Sequence, residues 1–102
     1  MAKLMAFYKT PVDPAAFDAH HHTTHLPLAR TIPGLTGYDL SQGPVAGIAG
    51  PAGLHLIATL NFASMADIGA AMASAQGQAT AADLANFAMA GVEVVMVDEV
   101  AV

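Results

Sequence analysis

Leu35 to Phe62 reads LTGYDLSQGPVAGIAGPAGLHLIATLNF, two strand-like runs on either side of a stretch crowded with glycine and proline. In the first run, Leu35, Gly37, Asp39 and Ser41 alternate with Thr36, Tyr38, Leu40 and Gln42, the period of two that marks a half-buried strand through Gln42. Gly43 to Gly53 carries too many glycines and prolines for a regular element and is expected as a long hairpin loop. It has no GK[ST] and no helix opens directly after it, so it is no phosphate-binding loop. Leu54 to Phe62, LHLIATLNF, is the second strand. Two consecutive strands at the centre of a chain that otherwise alternates strand and helix decide the fold.

Towards the N-terminus, Lys3 to Lys9 is expected as a strand, ended by the cluster Thr10-Pro11-Val12-Asp13-Pro14. Asp13 is an N-cap candidate, and Pro14 falls at the first helical position, where its missing N–H costs nothing. The helical pattern then continues to about Arg30 and stops at Ile32-Pro33-Gly34. Pro27 deletes the bond to the carbonyl of Thr23, which predicts a kink. Towards the C-terminus, Ser64 with Asp67 caps a helix to about Ala75. Gly77 is expected to interrupt it, Thr80 with Asp83 to open a shorter helix ending near Ala90-Gly91, and Val92 to Val100 to form the last strand.

The order is βαββαβ: an α+β, ferredoxin-like domain spanning residues 1–102, with both helices on one face of an antiparallel sheet. Nothing in the chain covers the other face. Two such faces packed together would close a barrel between subunits, so a homodimer, a dimeric α/β barrel, is expected. Composition agrees, since 55% of the residues are hydrophobic and only 11% are charged, a thin polar coat for a 102-residue monomer.

Three Lys+Arg against eight Asp+Glu leave a net charge of −5 and no basic patch for a phosphate backbone, so no nucleic acid partner is expected. The absence of cysteine rules out a disulfide, a thiolate nucleophile and a cysteine-based metal site. No apolar run approaches the roughly 18 residues of a membrane span, and the opening run is too short for a signal sequence. No membrane association and a cytoplasmic location are the expectations.

Phe17 to Leu35, FDAHHHTTHLPLARTIPGL, resembles the EthD family, named for ethyl tert-butyl ether degradation, within the dimeric α/β-barrel superfamily. The matching residues are Phe17, His25, Pro27-Leu28, Pro33-Gly34-Leu35 and Tyr38, preceded by Tyr8-Lys9-Thr10-Pro11. His21 stands where such sequences more usually carry Tyr or Trp. The resemblance implies a superfamily that holds cofactor-independent quinone-forming monooxygenases, muconolactone isomerases, haem-handling enzymes and members with no established activity. Fold alone therefore does not fix function.

At about 100° per residue, Phe17, His21, Thr24, Leu28 and Ile32 share one helical stripe with His25 at its edge, while His20 and His22 fall outside it. His25 is the candidate acid/base, because an imidazole exchanges protons near neutral pH. The alternative is a structural histidine that satisfies backbone freed near Pro27. His21, Tyr8, Tyr38, Phe17, Thr24 and Leu28 are the candidate substrate-binding residues. His21 and His25 stand one turn apart with Asp18 or His22 on the flank, but no other segment offers an obvious ligand, and neither a metal nor a cofactor is expected. His55 lies alone on its strand, where a structural role is expected.

The expected ligand is a small hydrophobic or aromatic molecule with one or two polar oxygens. The reaction would be an oxidoreductase (monooxygenase) or isomerase step begun by histidine proton transfer. A non-catalytic protein that carries a hydrophobic intermediate for a partner enzyme is the alternative.

Overall fold

The computed structural model describes residues 1–102. The chain runs β1 (Ala2–Lys9), α1 (Pro14–His20), a π turn (His21–His25), α2 (Leu26–Ala29), β2 (Gly37–Leu40), β3 (Leu54–Phe62), α3 (Met65–Ala73), α4 (Ala75–Phe87) and β4 (Val92–Asp98). The strands form one sheet in the order β2-β3-β1-β4, every pair antiparallel. This is the expected α+β, ferredoxin-like arrangement. No helix is long and apolar enough to cross a membrane.

Local chemistry starts and stops the helices. Asp13 Oδ1 accepts the Ala16 N–H at 3.1 Å and opens α1 with Pro14 at its first position. Ser64 Oγ accepts the Asp67 N–H and opens α3. The break between α3 and α4 falls at Ser74, not at Gly77 as expected. Ser74 has extended backbone, and its Oγ accepts the Gly77 N–H at 3.0 Å. A single α4 therefore runs through Thr80 and Asp83. Gly77 serves close approach: a Cβ there would lie 2.0 Å from the Ala71 carbonyl oxygen.

β2 is shorter than its alternating pattern, ending at Leu40, yet pairing continues one step through side chain and backbone. Ser41 N–H donates to the Ile57 carbonyl, and the Ile57 N–H donates to Ser41 Oγ. β4 likewise ends at Asp98.

The alternation of β1 turns Ala2, Leu4, Ala6 and Tyr8 towards the helices, and β3 adds Ala58, Leu60 and Phe62. On the opposite face the register sets Met5 beside Val95 and Phe7 beside Ile57, all half-exposed, and no helix covers them. The covered side carries two core clusters. One gathers Leu4, Ile32, Leu60, Phe62 and Ile68, the other Ala6, Tyr8, Phe17, Ala58 and Phe87.

The π turn corrects the helical stripe. Leu26 N–H donates to the His21 carbonyl, five residues back, so the turn just ahead of Pro27 holds one residue more than an α turn. Downstream residues rotate by that one position. The buried row becomes Phe17, His21, His25, Ala29 and Ile32, while Thr24 is exposed and Leu28 half-buried.

Candidate functional site

A cavity of about 200 Å³ lies between the sheet and the helices, where the two core clusters fail to meet. Small side chains leave the space: Ala6 and Ala58, partners in adjacent strands, form the floor, and Ala29 and Ala81 stand among the helical residues that line it. Of fourteen lining residues twelve are hydrophobic, and the polar atoms come from Tyr8, Tyr38, His25 and Thr80. A few polar groups in an apolar wall suit a small ligand with few polar atoms. Thr80 already donates its hydroxyl to the Gln76 carbonyl.

The π turn brings His25 to this wall, 4% exposed. Its Nδ1 lies 2.9 Å from Asp83 Oδ2, and its Nε2 lies 3.4 Å from the Tyr8 hydroxyl. Asp83, itself buried, meets three further contacts: Asn86 Nδ2 at 2.9 Å from Oδ1, and His20 Nε2 at 3.0 and 3.1 Å from its two oxygens. Burial disfavours the carboxylate, but hydrogen bonds from Asn86, His25 and His20 outweigh it and hold the pKa below the usual carboxylate value. An ionised Asp83 only accepts. The network therefore assigns the His25 proton to Nδ1 and leaves Nε2 as the acceptor of the Tyr8 hydroxyl.

Burial lowers the His25 pKa below its ordinary value despite the opposing hydrogen bond and charge of Asp83, so the ring is neutral near pH 7. Tyr8 is pushed well above the usual phenol value, by burial first and then by Tyr38 and Asp83, so its hydroxyl keeps its proton. Tyr38 is pushed up to about 12, chiefly by burial, with Arg30 opposing. The wall thus presents a neutral imidazole nitrogen and two protonated phenols.

His25, Tyr8 and Tyr38 of the expected residues line this cavity together. Phe17, His21, Thr24 and Leu28 do not. Phe17 and His21 stack behind Tyr8, their rings 6.0 Å apart and within 4° of parallel, and each meets the Tyr8 ring near a right angle. Thr24 and Leu28 are turned off the inner row by the π turn. His21 is 4% exposed, its Nε2 has no hydrogen-bond partner, and burial lowers its pKa to about 4.

His20, expected outside the stripe, reaches Asp83, whereas His22 is exposed. His55 is the extra residue of a bulge, since Tyr8 pairs with Leu56 and Lys9 with Leu54. That turn of the backbone brings His55 Nε2 to 2.7 Å from Asp18 Oδ1, beside the Phe17 ring. Sequence reasoning took Asp83 for a helix start and missed its role. The available signal was its place on the row Gly77, Thr80, Asp83 and Phe87, a carboxylate on the buried face of a helix.

The EthD domain model matches residues 9–91. An uncharacterized 11.0 kDa protein from the thcB-thcC intergenic region of Rhodococcus erythropolis is 40% identical over 100 residues, covering 97% of this chain and 95% of its own. The crystal structure of an ethyl tert-butyl ether degradation family protein from Bacillus halodurans is similar, with a TM-score of 0.89 and 31% identity, covering 98% of this chain and 99% of that one. SnoaB, a cofactor-independent oxygenase from Streptomyces nogalater, shares the fold at 13% identity and a TM-score of 0.67, covering 96% of this chain and 91% of its own.

Proposed function

This chain belongs to the EthD family, and from that premise we propose that its cavity takes a small aromatic or hydrophobic molecule with an acidic O–H or C–H, which His25 deprotonates. The observation that carries this reading is the Tyr8–His25–Asp83 chain at the wall of an apolar cavity. Asp83 holds Nδ1–H and stabilises the imidazolium that forms when Nε2 takes a proton. Tyr8, released from Nε2 as the proton arrives, has a hydroxyl free for a developing oxyanion on the ligand, and Tyr38 supplies a second donor.

Two reaction classes begin with that step. In an isomerisation His25 returns the proton to another atom of the same molecule. In an oxygenation the deprotonated substrate gives its electrons to molecular oxygen, the activity class in SnoaB's description.

A volume of about 200 Å³ suits a single ring with its substituents, because an apolar cavity of about 150 Å³ accepts benzene. The test is a thermal-shift screen of single-ring phenols, quinols and lactones, followed by turnover of each binder by the wild type and by His25→Gln. The reading requires that turnover fall by about 10²-fold or more with binding largely kept.

A second reading, a non-catalytic carrier of a hydrophobic intermediate, draws on one contact. The Tyr8 hydroxyl already engages Nε2 at 3.4 Å, as it would in a binding wall with no base to expose. Binders that are never turned over, and that bind the His25→Gln variant equally, would favour it. In either reading the protein works as a homodimer, closed over the uncovered face that carries Met5, Phe7, Ile57 and Val95.

A further inference from the structure

Asp83 serves two imidazoles at once, one facing the cavity and one facing the surface. His25 is buried, whereas the His20 side chain is 28% exposed and lines a second cleft together with Asn86 and Phe87. The His20 ring stacks on Phe87, centroids 4.9 Å apart and planes 18° from parallel, so its approach to the carboxylate is fixed by packing as well as by hydrogen bonds. Its Nε2 sits almost equidistant from the two carboxylate oxygens, at 3.0 and 3.1 Å.

A lone exposed His–Asp pair is worth little. Here the carboxylate is buried and its Oδ2 is shared, because His25 Nδ1 uses the same atom. Every donor that draws on this carboxylate weakens what remains for His25.

We infer that His20 is a positioning residue: through Asp83 it sets how strongly His25 holds a proton. The inference rests on the reading of His25 as the base but can be tested without any substrate. The groups that face His25 are few. Tyr8 meets it from β1, Asp83 from α4, and His20 and His21 from its own helical segment, so a change at His20 is read against a small and known background.

The carboxylate keeps its orientation when His20 is removed, since Asn86, three residues on along α4, still donates to Oδ1. What changes is the share of negative charge available to His25 Nδ1. His20→Ala should therefore make His25 easier to protonate. His20→Gln, whose amide can donate to Asp83 but takes up no proton, should fall between His20→Ala and the wild type.

The experiment is an NMR titration of the His25 ring Cε1–H in the full-length, ligand-free protein and in both variants. The expected result is a rise of about threefold or more in the His25 protonation constant for His20→Ala and a smaller rise for His20→Gln, with the His20→Ala melting temperature lowered by the hydrogen bonds and the ring stack it loses. An unchanged or lowered His25 midpoint in His20→Ala would overturn the inference and make His20 an ordinary surface pair. Should His20→Ala fail to fold, the His20→Gln titration decides alone: a raised midpoint supports the coupling and an unmoved one removes it. Because no turnover is measured, failure of the coupling stays distinguishable from failure of the enzymatic reading.

Discussion

His25 and Asp83 stand 58 residues apart in the chain and 2.9 Å apart in the fold, Nδ1 to Oδ2, both buried. The π turn makes the meeting possible. With an α turn in its place, Thr24 would face α4 and His25 would sit at the edge of the buried row. The added residue exchanges the two.

Asp83→Asn should therefore destabilise the fold, because an amide carries no charge and must pair one of its faces badly with three donors. Hydrogen bonds to a charged group are worth about 1.5–3 kcal/mol each, so a loss of about 2–3 kcal/mol, or roughly 10 °C in Tm for a domain of this size, is expected in urea or thermal unfolding at pH 7. A variant as stable as the wild type would show that the carboxylate is not ionised in the network.

Acid should weaken the protein earlier than carboxylate protonation alone would. His21 and His25 both have folded pKa values below the 6.5 of the unfolded chain, His21 at about 4. Between these values the unfolded state binds more protons than the folded one, so stability is full above about pH 6.5 and falls as the pH drops towards 4. His21 alone accounts for about 3 kcal/mol of that loss, and His25 adds to it in the same direction. Urea midpoints at pH 7.5, 6, 5 and 4.5 should decline steadily, and a flat profile would contradict the burial of neutral imidazoles. His21→Leu should flatten the decline and, by removing the unpartnered Nε2, gain about 1–2 kcal/mol at pH 7.

The parts legible in the sequence were those whose cause is local. Ser64 with Asp67 and Asp13 with Pro14 announce helix starts within three residues, and the alternation from Leu35 to Gln42 announces the strand that forms at Gly37–Leu40, whereas neither β1 nor β3 announced which of its faces would be buried. The break at Ser74 is also local, but Gly77 drew attention because glycine usually interrupts helices, whereas here it lets α4 approach the carbonyl of Ala71. Asp83 was illegible for a different reason. Its partners His20 and His25 come from 63 and 58 residues away, and the exact phase of the histidine segment depends on a π turn that helical periodicity does not encode. Tyr8 and Tyr38 were named for their hydroxyls and for the EthD-like stretches that hold them, and the fold brings both to the cavity wall.

The uncovered sheet face predicts the assembly. Ile57 pairs with Phe7 beside Met5 and Val95, and this half-exposed apolar strip should be buried against its copy. Light scattering at micromolar concentration should give about twice the 10.3 kDa chain mass, and Ile57→Lys should shift it towards a single chain or unfold the protein. A wild-type monomer that is well folded at that concentration would remove the dimer.

The cavity makes a prediction that separates binding from folding. Ala58 is 1% exposed on β3, faces Ala6 across the strand pair and lines the space beneath the helices, so a larger side chain there grows into the cavity rather than into packed neighbours. Ala58→Leu adds three carbon atoms to a volume of about 200 Å³. Filling an apolar void commonly gains about 0.5–2 kcal/mol, so Tm should hold or rise. The room for a ring is lost at the same time, and affinity for any small aromatic ligand found by screening should fall at least about tenfold, equivalent to about 1.4 kcal/mol. Calorimetric titration and thermal unfolding of the same samples check both halves. Undiminished binding by a stable Ala58→Leu protein would move the ligand out of this cavity and away from His25. A large loss of stability would instead show that the alanines at 6 and 58 are held small by packing, and that the space between the two core clusters is closed when the protein is in solution.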